Sequence, residues 1–238
     1  MYRAPLDDMN FVVNQLIDLP TLAITVDCED ANSEMLDAIL VEADKLASEV
    51  WSETNIIGDQ KGVQLEDNGV KVPAEFRDAY WAYVNGDWGG MYFEQGMGGQ
   101  GLPFSFAIPI LEMLQSANMA LGLCPMLTAG AIETVQSYGS DELKAVYLPK
   151  MIKGTWSGTM NLTEPHAGTD LSVIKTTATA DGNHYRIKGQ KIYITWGDHD
   201  MTENVVHLVL AKLPDALAGV NGISLFLVPK FLPDEQGK

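Results

Sequence analysis

The sequence predicts an α+β protein: a helical N-terminal part, residues 1–153, followed by a smaller antiparallel β part, residues 154–238. Three observations carry that prediction. Apolar residues recur at helical spacing through the first part. Beyond Gly154 the period shortens to brief runs of β-branched and aromatic residues divided by turn signals. Helices come first and strands second, with no βαβ alternation, so the two kinds of element segregate.

The elements follow in order. From Glu34 to Val50 the positions Leu36, Ile39, Leu40, Ala43, Leu46, Ala47 and Val50 form one apolar stripe. Asn32 or Ser33 serves as its cap, and Glu34 favours the first turn. A second helix opens at Pro73 and closes before Gly86, with Phe76, Tyr80, Tyr83 and Val84 inward. A third, Phe104 to Leu121, is apolar over most of its surface, and Pro109 starts or kinks it. Met126 to Tyr138 and Asp141 to Ile152 form two shorter helices, the latter capped by Ser140. The predicted strands are Thr155–Thr163, Val173–Ala180, His184–Lys188, Gln190–Trp196, Val205–Lys212 and Ile223–Val228, with Asp181-Gly-Asn183 a clear turn. The tail from Pro233 to Lys238 is polar and expected to fray.

Composition narrows the function. With 46% hydrophobic and 20% charged residues the chain is an ordinary globular protein, not a disordered one. Fifteen basic residues against 32 acidic ones, a net charge of −17, argue against nonspecific binding to nucleic acid or to an anionic membrane. Cys28 and Cys124 show no CxxC spacing and read as reduced structural thiols. With no apolar run of export or spanning length near the N-terminus, they predict a soluble cytoplasmic protein. His166, His184, His199 and His207 lack metal-ligand spacing and read as surface or structural residues. Gly96-Met-Gly-Gly-Gln-Gly101 matches GxGxxG but follows no strand, which favours a glycine-rich connection between helices over a dinucleotide loop.

The segment Met160-Asn-Leu-Thr-Glu-Pro-His-Ala-Gly-Thr-Asp170 joins an apolar strand, a hydroxyl and a rigid turn in eleven residues. Pro165 and Gly168 stop the strand and leave free backbone donors and acceptors, which suit the edge of a flat, polar cofactor. A second segment, Gly189-Gln-Lys-Ile-Tyr-Ile-Thr-Trp-Gly197, is predicted to lie beside it. Glu164 precedes a proline in the turn and is a poor candidate for a base.

In order and spacing these two segments resemble the flavin-binding signature of the acyl-CoA dehydrogenase family. The resemblance extends to Gly98-Gly-Gln-Gly-Leu-Pro103, Ser116-Ala-Asn-Met-Ala120 and Gly139-Ser-Asp-Glu-Leu-Lys144. It implies flavin adenine dinucleotide (FAD), with backbone groups of Met160 and Leu162 at the pyrimidine edge and the Thr163 hydroxyl near the ring. Tyr193, Ile194 and Thr195 would cover the opposite side, Thr195 reaching flavin N5, and Thr169 would lie near the CoA part of a substrate. Many relatives carry Trp where Tyr193 stands. A turn or cap formed by Thr169 and Asp170 is an equal reading of that hydroxyl.

The opening Tyr2 to Phe11 and the stretches His207–Asp215 and Gly222–Lys230 look like the branch of methylthiopropanoyl-CoA dehydrogenases. The family's α-proton base is a glutamate of a C-terminal helical domain. The resemblance therefore implies the N-terminal and middle domains of such an enzyme, with an incomplete β domain, the C-terminal helical bundle absent, no catalytic residue of its own and little activity in isolation. The implied partners are an acyl-CoA, the missing domain or a second chain supplying it, an electron acceptor and, when complete, copies of itself. A noncatalytic flavin-binding or interaction module, or a DNA-repair-associated relative, is the alternative; the charge of −17 speaks against the latter.

Overall fold

In the computed structural model the described residues are 2–24, 28 and 31–234. The expected frayed tail falls largely outside them, from residue 235 onward.

The helical part is built as its apolar stripes require. The predicted helix at Glu34–Val50 is α3, Ser33–Lys45, and it runs without a break through a π-helical stretch, Leu46–Trp51, into α4, Ser52–Lys61. Asn32, rather than Ser33, caps it by accepting from the Met35 N–H at 2.9 Å. Ahead of it lie α1, Leu6–Asn10, continued by π-helical Phe11–Leu16, and α2, Leu19–Ile24. Helix α5, Ala74–Asn85, starts one residue after Pro73 and stops at Gly86, and all four of its expected inward residues are buried.

The expected helix Phe104–Leu121 is divided. Helix α6, Phe104–Ala117, carries Pro109 inside it, and α7, Met119–Tyr138, begins at once after Asn118. The break belongs to Asn118, which is extended (φ −155°, ψ 95°), accepts from the Leu121 N–H and donates to Thr54 Oγ1 at 2.8 Å. An N-cap inside a continuous apolar run is invisible to hydrophobic periodicity, so the boundary expected at Met126 is seven residues too late. Helix α8, Asp141–Lys153, has the expected Ser140 cap and ends at left-handed Gly154.

One hairpin interrupts the region expected to be all helical: β1, Gln64–Glu66, and β2, Gly69–Lys71, pair antiparallel around Asp67-Asn68. Asn68-Gly69 is a hairpin signal that the sequence does carry.

The second part is a five-stranded sheet of β3, Trp156–Asn161; β4, Thr177–Asp181; β5, His184–Lys188; β6, Asn204–Lys212; and β7, Ile223–Pro229. The expectation of antiparallel pairing needs correction, because the sheet is mixed. β4 with β5 and β6 with β7 are antiparallel, but β3 lies parallel to β6 (Thr159 opposite His207), and β4 touches β6 in parallel at Thr177–Lys212. Parallel neighbours need a long crossover, and residues 162–203 supply it. The strand expected at Gln190–Trp196 does not form; that stretch is irregular.

Sheet and helices share a core. β3 lies on α7 and α8, where Trp156, Val206 and Leu208 pack with Ala131, Ile132, Leu148 and Met151. The approach is so close that a Cβ on Gly158 would fall 2.5 Å from the Ala131 Cβ. The Gly158 N–H meets Thr128 Oγ1 of α7 at 3.0 Å. No helix among the described residues is long and apolar enough to cross a membrane.

Candidate functional site

The two motif segments meet at the open edge of the sheet. Among the described strands β3 pairs with β6 alone, leaving one rim of backbone groups without a strand partner. Gly158 directs its N–H away from β6, to Thr128, and backbone groups in a strand alternate sides. Met160, two residues on, therefore faces the same rim. Past the strand, the Thr163 carbonyl accepts from the Ile192 N–H at 3.0 Å, and the Leu162 carbonyl accepts from Lys191 Nζ at 3.0 Å. The second segment thus lies beside the first, as a loop and not as a strand.

A buried carboxylate holds that junction. Glu164 accepts from the Lys175 and Thr176 N–H groups at 2.7 and 3.0 Å, from the Thr176 hydroxyl, and from Lys191 Nζ at 2.9 Å. Burial alone would raise its pKa, but these four donors outweigh burial and hold it down at about 2. It is ionised at neutral pH and tied to four donors, which makes it a poor base. Sequence reasoning set Glu164 aside as a base but missed its link to Lys191. The signal was there: a glutamate in a tight turn just past an apolar strand calls for a cation when buried, and the other motif holds one, Lys191.

The segment Tyr193–Thr195 is strained and open. Tyr193 and Trp196 are left-handed, with φ of 55° and 54°, which is why no strand forms here. The Tyr193 ring is 90% exposed. Thr195 is exposed and, with Ile194, lines a groove of ≈ 660 Å³ between the hairpin, α4, α5, the start of α7 and this loop. Its apolar lining includes Phe76, Leu123, Ile194 and Trp196, and no lysine or arginine borders it. Met160, Leu162 and Thr163 are half-buried and lie outside the groove.

The loop continues into a tightly held stretch. Asp198 accepts from the Val70 N–H and pairs with Lys230; Asp200 accepts from Val72 N–H and pairs with Arg77 and Lys71. Trp81 donates to the Met201 carbonyl at 3.0 Å. His199 is buried: its Nδ1 accepts from the Met201 N–H, so Nε2–H donates to Ser157 Oγ of β3 at 3.0 Å. Burial pushes its pKa down to about 4, Lys230 and His207 adding to that effect and Asp198 and Asp200 opposing it. The imidazole is therefore neutral.

The remaining expectations fall as follows. Thr169 is exposed in the turn after Glu164, and Asp170 does the capping, accepting from the Ser172 N–H. The stretch Gly96–Gly101 lies between α5 and α6 with no strand before it, as a connection between helices should. His166 and His184 are on the surface and His207 is half-buried against Thr159, and no metal-ligating cluster occurs among the described residues.

Residues 61–155 match the family model described as acyl-CoA dehydrogenase, N-terminal domain, and residues 159–237 match acyl-CoA dehydrogenase, middle domain. The chain is 43% identical over 238 residues to a 3-methylmercaptopropionyl-CoA dehydrogenase of Ruegeria pomeroyi, covering 100% of this chain and 40% of that protein. It is 36% identical over 242 residues to a butyryl-CoA dehydrogenase of Syntrophomonas wolfei, covering 99% of this chain and 40% of that protein. The chain therefore spans about two fifths of the length of these relatives. Among solved structures, an acyl-CoA dehydrogenase from Geobacillus kaustophilus superposes with a TM-score of 0.66 at 26% identity, over 82% of this chain and 47% of that one.

Proposed function

From the premise that the chain belongs to the acyl-CoA dehydrogenase family and carries its N-terminal and middle domains, we propose that it forms part of an FAD-dependent enzyme that removes the α and β hydrogens of a short acyl-CoA. The observation that supports this most is the meeting of the two motif segments at an open strand edge, where Ile192 bonds Thr163.

The residues present fit a flavin. The rim at Met160 offers backbone groups, Tyr193 is an exposed aromatic residue, and the exposed Thr195 lines the groove. Bound FAD would supply the two-electron acceptor that no side chain provides. In this reading Met160, Leu162 and Thr163 hold the pyrimidine edge, Tyr193, Ile194 and Thr195 cover the ring, and Thr169 lies toward the CoA. The Leu162 carbonyl already accepts from Lys191, so its second lone pair or its N–H would make the contact. The groove has apolar residues that suit an acyl chain, and with Asp59 and Asp198 but no cation in its lining it disfavours the CoA phosphates.

Two carboxylates, Asp59 and Asp198, line the groove with Thr195, and Asp198 is a poor α-proton acceptor. Burial would raise the Asp198 pKa, but Lys230 and the Val70 N–H together outweigh it and hold the group below its ordinary value. On the family likeness we infer that the α-proton base is not among these 238 residues and that they alone turn over little, and we put the boundary between the two domains at Lys153/Gly154. In the complete enzyme the partners are an acyl-CoA, an electron-transferring acceptor and further copies of the same chain. The two free thiols, Cys28 and Cys124, fit a reducing cytoplasm. The similarity to the Ruegeria enzyme makes 3-(methylthio)propanoyl-CoA the first substrate to try, and butyryl-CoA the second.

The test is flavin bleaching and dye reduction by the chain with FAD and each thioester, alone and as the full-length enzyme. Turnover confined to the full-length form supports the reading. Robust turnover by the homogeneous 238-residue chain would mean that one of its own residues is the base.

A further inference from the structure

The segment 193–197 contains a turn that its own sequence disfavours. The Gly197 N–H donates to the Ile194 carbonyl at 3.1 Å, closing a four-residue turn with Thr195 and Trp196 at its centre. Trp196, with φ of 54°, occupies the third position of that turn, where a left-handed backbone normally calls for glycine or asparagine. Tyr193, just before the turn, is left-handed as well. Such residues persist only where surrounding contacts over-determine them.

Contacts of that kind surround Trp196 and come from two helices and from its own loop. Its Nε1–H donates to the Ala120 carbonyl of α7 at 2.8 Å. Its ring lies 6.2 Å from that of Phe76 on α5 and meets the His199 ring edge-on, at 5.5 Å and 81°. His199 is itself bonded to Ser157 of β3. Behind the turn there is no slack, since a Cβ on Gly197 would sit 3.0 Å from both Cβ and Cγ2 of Ile194. Thr195, by contrast, is exposed. The indole is thus anchored directly to the helical part and, through His199, to β3, and the exposed Thr195 beside it shares its backbone.

We propose that Trp196 is a positioning residue: by anchoring the left-handed turn to Ala120, Phe76 and His199, it aims the Thr195 hydroxyl at the flavin. The inference rests on the assignment of Thr195 to the flavin made above. It requires that Trp196 act through Thr195, so the two residues must be coupled.

The experiment is a double-mutant cycle on the full 238-residue chain, with FAD affinity read from flavin fluorescence and the flavin-free variants mapped by amide hydrogen exchange. Trp196→Ala is expected to weaken FAD binding about tenfold and to raise exchange within residues 190–200 alone. In a Thr195→Val background the same substitution should change affinity little. Trp196→Phe, which keeps a ring but loses the Ala120 bond, should fall between wild type and alanine, and it carries the cycle if the alanine variant does not fold. Equal weakening by the Trp196 substitution in both backgrounds, or unchanged exchange in residues 190–200, overturns the inference while leaving the flavin site standing. Failure of the wild-type chain to bind FAD overturns the site assignment and this inference together.

Discussion

At the scale of single residues, the Glu164–Lys191 pair is the least replaceable polar contact of the site. Side-chain exposures of 2% and 9% mean that neither charge can turn to water. Lys191→Met should therefore destabilise the chain by about 3–5 kcal/mol, because it leaves an uncompensated buried carboxylate. Denaturant unfolding measures this, and a loss below about 1 kcal/mol would show the pair to be a solvated one. His199 makes a second prediction. Its pKa lies near 4 in the folded chain and near 6.5 when unfolded, so between these values only the unfolded chain binds the proton. Stability should fall as pH drops through that window, by on the order of 3 kcal/mol. His199→Gln should flatten the slope there, and an unaltered pH profile would mean that the imidazole is hydrated. Glu164 adds a separate loss at lower pH, since its contribution is complete above about 4.3 and disappears as pH falls toward 2.

At the scale of elements, the contact of β3 with α7 depends on Gly158. A methyl there would meet the Ala131 Cβ at 2.5 Å and the Met151 Cε at 2.9 Å. Met151 can swing aside, but Ala131 cannot. Gly158→Ala should cost about 1–3 kcal/mol and lower the melting temperature, whereas Gly168→Ala, which meets nothing within 4 Å, should be near neutral. Similar losses for both would assign the effect to the backbone rather than to packing. What was legible at this scale follows the physics of each signal. The strand His184–Lys188 forms at its expected limits because Asp181-Gly-Asn183 fixes the turn before it. Ser140 and Asn32 cap as read, being polar side chains at the head of apolar stripes. The strand expected at Gln190–Trp196 fails because tertiary anchoring of Trp196 overrides the β preference of Tyr, Ile and Thr. The parallel pairing of β3 with β6 was illegible, since no local pattern records which way a distant strand runs.

At the scale of the whole molecule, the helical part and the sheet are joined by the same stretch that carries the candidate site. Residues 193–201 hold the hairpin, α5, α7 and β3 through Asp198, Asp200, Trp196 and His199. Sequence motifs located this stretch but showed nothing of its shape. The central claim is that segments 160–163 and 193–195 together form one side of a flavin site. The measurement that tests it most directly is amide hydrogen exchange of the 238-residue chain with and without FAD, at flavin concentrations up to about 1 mM to reach a weak complex. The account predicts saturable binding with new protection concentrated in those two segments. Saturable binding that protects other parts of the chain and leaves both segments unchanged would contradict it.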